Sequence, residues 1–158
     1  MATPNSTFTV GAILTAAQQN NFPFGVVSYK YDTAASINNL LTTVQSFVTS
    51  PAFTPVAGRL YRCTYSIGAI YKYTNIGNIE IQMRKDSTAG TVLNASYFSA
   101  VALATVLPFS TSVLLTSTQM GTASFIPTLC VQANTAGMAA ANTAGYNGTI
   151  LFEDIGLA

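Results

Sequence analysis

"TPVAGRLYRCTYSI", Thr54 to Ile67, decides how the chain is read. It holds two of the six basic residues, two tyrosines and one of the two cysteines. Side chains alternate along it. Tyr61, Cys63, Tyr65 and Ile67 fall on one face, and Leu60, Arg62, Thr64 and Ser66 on the other, the two-residue period of a half-buried strand. The stretch is either the wall of an active site or a strand whose tyrosines and cysteine pack inward. In the second reading Pro55 to Gly58 is the turn feeding the strand. Arg59 beside that turn and Arg62 on the opposite face are then candidate contacts to a neighbouring subunit or platform.

Composition favours the strand. Across 158 residues, hydrophobic side chains make up 49% and charged ones only 7%, against roughly 25% charged in an ordinary soluble domain. From Ser87 to Phe152 no side chain is charged. A surface so poor in charge is weakly protected against association, so an oligomer is the first expectation. There is no histidine, which removes the commonest general base and metal ligand. The carboxylates are Asp32, Glu80, Asp86, Glu153 and Asp154. Only the last two are adjacent, and in a strand adjacent residues point to opposite faces. Glu80 with Glu153 stays open as a combination, but the expectation is no enzyme, no metal and no cofactor.

The longest strongly apolar run, "AVALATVLPF" (Ala100 to Phe109), is broken by Thr105 and Pro108 and falls short of the ~20 residues of a spanning helix. The first residues, "MATPNSTFTV", show no secretory leader pattern. A formal net charge of +1 with scattered Lys and Arg gives no nucleic-acid patch. Membrane insertion and nucleic acid are therefore not expected. Cys63 and Cys130 read as two buried small hydrophobes, with a single bridge left open.

Further strands follow the same alternation. "VVSYKYD" sets Val27, Tyr29 and Tyr31 against Ser28, Lys30 and Asp32. "NIEIQMRK" sets Ile79, Ile81 and Met83 against Asn78, Glu80, Gln82 and Arg84. "DSTAG" is a turn and "TVLNASYF" the returning strand of a hairpin. "TSVLLTS", "ASFIPTLCVQA" and "GTILFEDI" complete the set, whereas "SINNLLTTVQSF" fits a helical turn or a strand equally. Strands at this spacing predict an all-β sandwich or barrel over residues 26–158. Residues 1–25 read as an N-terminal docking arm with a brief helical element, "LTAAQQN", capped by Thr15 and stopped at Pro23. Phe8, Phe22 and Phe24 are its candidate docking side chains, onto a neighbour or onto its own sandwich. Exposed tyrosines such as Tyr71 and Tyr73 admit sugar binding, although Tyr and Thr also simply favour strands.

Two resemblances add to this. "FTPVAGRLYRCTYSI" and "GYNGTILF" resemble the central and last strands of the complement-type and tumour-necrosis-factor-like jelly rolls. That likeness implies an all-β Greek-key jelly-roll β-sandwich over residues 26–158 that trimerises. "VGAILTAAQQNNFPFGVVSY", "FTPVAGRLYRCTYSI", "NIEIQMRKDSTAGTVL" and "LFEDIG" are similar, in order along the chain, to small virion proteins of tailed bacteriophages. The segment between Asn94 and Ala133 carries no part of it. It implies a homotrimer on the particle exterior, made in the host cytoplasm, that decorates or cements the capsid. Its partners would be itself and the major capsid protein or another platform protein. The alternative is a receptor-binding knob of a tail or head fibre that recognises a bacterial surface glycan. A secreted enzyme or lectin unrelated to phage is the third reading.

Overall fold

A computed structural model describes residues 22–34, 37–72, 77–100, 106–134, 138–140 and 147–158. Among the described residues ten strands and a one-turn helix run in the order β1 (Gly25–Asp32), β2 (Ile37–Leu40), β3 (Gln45–Thr49), β4 (Arg59–Lys72), β5 (Gly77–Lys85), β6 (Val92–Ala100), β7 (Val106–Thr116), α1 (Ser117–Met120), β8 (Pro127–Ala133), β9 (Met138–Ala140) and β10 (Gly148–Leu157). They form two antiparallel sheets. One has six strands, ordered β1-β10-β4-β9-β2 with β7 also on β4, and the other is β3-β8-β5-β6.

The six-stranded sheet is organised by β4. Leu60 to Ile67 pair with β10 on one side and with β7 on the other, and Arg59 pairs with Leu157 of β10. Past the end of β10, Tyr71 and Lys72 pair with the short β9, which carries β2. With β2 and β9 set aside, the sheets read β1-β10-β4-β7 and β3-β8-β5-β6. Counted along the eight remaining strands, the last lies beside the first and third, and the seventh beside the second and fourth. That is the jelly roll, two Greek keys closed on each other. The all-β Greek-key sandwich expected from the sequence is the observed fold.

Alternation builds the core. Tyr61, Cys63, Tyr65 and Ile67 of β4 are buried, as are Ile150 and Phe152 of β10. Ile79, Ile81 and Met83 of β5, with Leu129 and Val131 of β8, face them from the other sheet. At one end Phe53, Phe125 and Phe152 cluster with Tyr61, Phe53 lying 5.0 Å from Phe125 and 5.1 Å from Phe152. Such tilted ring pairs add to the area they bury. The Tyr61 hydroxyl accepts the Val56 N–H at 2.8 Å, so its polar end is satisfied at the rim of the cluster. Cys63 and Cys130 are both buried free thiols. Cys63 faces the interior between the sheets. Cys130 faces away from it, level with Gln82 of the adjacent strand, so no bridge joins them.

"SINNLLTTVQSF" resolves into two strands, β2 and β3. Their partners β9 and β8 come from far along the chain, beyond the reach of local pattern. "TSVLLTS" is a strand only as far as Thr116. There Thr116 and Gln119 form a capping box, each side chain bonding the other's backbone N–H, and the chain makes one helical turn. Phe8, Thr15 and "LTAAQQN" lie outside the described residues.

Candidate assembly surface

The site residues expected from the sequence separate into two groups. Arg59 opens β4 with its guanidinium 2% exposed, paired to Asp154, which is 1% exposed. The arginine Nε donates to Asp154 Oδ2 at 2.8 Å and Nη2 to Oδ1 at 2.6 Å. This two-point geometry is the strongest that the pair can adopt. Asp154 Oδ1 also accepts the Gly156 N–H at 2.9 Å, across the bulge where β10 slips against β4. Gly156 stands there at φ 121°, in the left-handed range that favours glycine. Arg59 Nη2 further donates to the Phe22 carbonyl at 2.5 Å, and the Phe24 ring lies 4.2 Å from Arg59 Cζ. Arg59 is therefore not on an open face. It locks residues 22–24 to the chain's own sandwich, where Phe22 and Phe24 keep about half their surface exposed.

Arg62 is on the outer face of the six-stranded sheet, as its alternation predicted. Its Nε donates to Glu153 Oε2 at 2.8 Å, and that bond with the carboxylate charge raises the Arg62 pKa. The pair occupies the middle of a row across four strands, Val26–Glu153–Arg62–Leu114. Val26 is 60% and Leu114 56% exposed at its two ends. The next row is Tyr29–Leu151–Thr64–Ser112, in which the Thr64 and Ser112 hydroxyls meet at 3.0 Å. Tyr31 follows on the same face, hydrogen-bonded by the Asn147 amide. The face thus carries one internally neutralised ion pair among exposed aliphatic and tyrosine side chains.

The opposite exterior, on the four-stranded sheet, has a different character. Gln132 Nε2 donates to Glu80 Oε2 at 2.6 Å, and the Tyr97 hydroxyl to Glu80 Oε1 at 3.4 Å. Tyr97 is 72% exposed. Below this row the Arg84 guanidinium bonds the Gln82 side chain and the Gly90 carbonyl.

Each of the five carboxylates is held by a structural partner. Asp32 accepts the Ala34 N–H, Asp86 the Ile126 N–H, Glu80 is held by Gln132, Glu153 by Arg62 and Asp154 by Arg59. Glu80 and Glu153 lie on opposite exteriors of the sandwich, so the combination left open by the sequence is not assembled. No group of three metal-ligating side chains occurs among the described residues. Sequence alternation placed Glu153 and Asp154 on opposite faces but did not reveal that Asp154 is buried against Arg59. The available signal was its phase, two residues on from Phe152 and four from Ile150.

No family model matches the sequence, and no curated protein matches it. Among solved structures the fold is similar to VP2 of infectious bursal disease virus. The VP2 subviral particle overlaps at TM-score 0.49 and 8% identity, over 81% of this chain and 32% of that one. The T13 particle of that virus gives 0.45 at 6% identity, over 82% and 36%, and its Gx strain 0.42 at 8%, over 87% and 40%. The chain thus spans about a third of the length of these proteins. Overlap this loose assigns neither a family nor a role.

Proposed function

We propose that the chain is a non-enzymatic structural subunit on the outside of a tailed-phage particle, a homotrimer that decorates or cements the capsid. The observation that carries the reading is the outer face of the six-stranded sheet. Its Val26, Tyr29, Tyr31 and Leu114 stand open to water in a chain with 7% charged residues, and its one ion pair is already neutralised. Such a face fits a subunit that is always assembled. The phage assignment draws on the co-linear resemblance of the four sequence stretches quoted above, and the platform is the major capsid protein or another virion protein. The arm, residues 1–25, would contribute to that docking through Phe8, while Phe22 and Phe24 hold its end to the sandwich.

Quantitative mass spectrometry of purified particles, with labelled protein located on micrographs, tests the reading. Many copies spread over the head are expected, and a few copies at the tail would overturn it. That second result belongs to the glycan-binding knob, for which Tyr97 beside Glu80 and Gln132 is the specific observation: an exposed ring flanked by polar groups can take a sugar.

A further inference from the structure

A sheet edge presents a row of backbone N–H and C=O groups, and folded chains normally interrupt it. Among the described residues four edges are interrupted, the first of them β2, which has four residues and an irregular register with β9. β1 carries Lys30, Asp32 and a bulge between Val26 and Ser28. β3 has five residues and a bulge between Ser46 and Val48. β7 contains Pro108, which has no N–H to offer, at the irregularity in its pairing with β4. β6, by contrast, pairs with β5 on one side and with no described strand on the other. Its nine residues, "VLNASYFSA", hold no charge and no proline. Its one irregularity lies at its start, next to the turn.

The group that completes such a row is another extended strand, and we infer that it is β6 of a second copy, antiparallel about a two-fold axis at Ser96. An uncharged strand meets its own copy with no like charges opposed. Side-chain size also fits. Ala95 and Tyr97 are exposed on the same face of β6, and a two-fold at Ser96 sets each Ala95 opposite Tyr97 of the partner subunit. Every exposed ring then lies over a methyl group, in both halves of the contact. Two four-stranded sheets become one of eight strands. The contact is isologous, so it links one cyclic oligomer to the next and stands apart from the location proposed above.

Amide hydrogen exchange, read against protein concentration, tests the pairing. The amides of Ala95 to Tyr97 should exchange about tenfold more slowly in concentrated than in dilute protein. A95K, at an exposed position, should remove that dependence and leave the unfolding midpoint unchanged. S96C should form a disulfide-linked pair on a denaturing gel after mild oxidation, because residues on the two-fold face each other. Exchange at Ala95–Tyr97 that ignores concentration overturns the pairing. Concentration-dependent exchange without an S96C cross-link overturns the axis at Ser96. Neither readout depends on where the protein sits in a particle.

Discussion

Removing one partner of a buried ion pair leaves the other charge without its counterpart in a low-dielectric site. D154A should therefore destabilise the sandwich by about 3–5 kcal/mol, and R59M/D154L should lose much less than D154A alone. Urea unfolding of the two variants beside the wild type reads the difference. If D154A unfolds at the wild-type midpoint, the Arg59–Asp154 lock has no structural weight. At Arg62, which is exposed, R62A should leave the midpoint nearly unchanged. The thiols give a pH dependence. Burial pushes the Cys130 thiol from 9.0 up to about 11, Cys63 further up, and the Tyr65 hydroxyl upward in the same way. The unfolded chain then releases its protons first, so stability holds below about pH 8 and falls as pH rises from about 9 toward 11. C63A/C130A should flatten that decline in a urea series across this range. The burial of Cys63 was legible from its place between Tyr61 and Tyr65. The burial of Arg59 was not, because its partner lies 95 residues away and short-range pattern carries no pairing.

At the scale of elements, the β5–β6 hairpin shows what local sequence specifies. "DSTAG" announced the turn, and the turn tolerates little change. A Cβ on Gly90 would stand 1.5 Å from the Lys85 carbonyl oxygen, so G90A must displace backbone. Asp86 stands at φ 66°, donates its N–H to the Ile126 carbonyl at 2.7 Å and accepts the Ile126 N–H on its side chain. D86A loses the side-chain bond and keeps the strain, whereas D86G loses only the bond. D86A should thus be the less stable of the two by thermal unfolding. On β10 a Cβ at Gly148 would meet Val48 at 2.4 Å and Phe47 at 2.8 Å, where the strand crosses β3. G148A should cost about 1–3 kcal/mol. Long alternating strands such as β4, β5 and β10 were legible because each buries a single face. β2 and β3 were ambiguous because they are short, and α1 was hidden because its signal is one capping box at the end of a strand.

For the whole molecule, strand count and spacing pointed to a sandwich or barrel and the resemblance of two stretches to a jelly roll, while the order of strands within each sheet is set by contacts no local pattern contains. The candidate surface was legible only in part. Low charge pointed toward association without saying which face, and Arg62 lay where alternation put it. The partnership of Val26, Tyr29, Glu153 and Leu114 on that face required the register of β1, β10, β4 and β7. Charge placed in that face should therefore act on association and not on folding. L114K should lower the oligomer mass in sedimentation while its thermal midpoint, taken in dilute protein, stays near that of the wild type. The central claim is that this chain works as an assembled subunit, and its native mass tests that most directly. Multi-angle light scattering at micromolar concentration should give three times the 16.6 kDa chain mass, or a multiple of that trimer. A single species at the mass of one chain would contradict it.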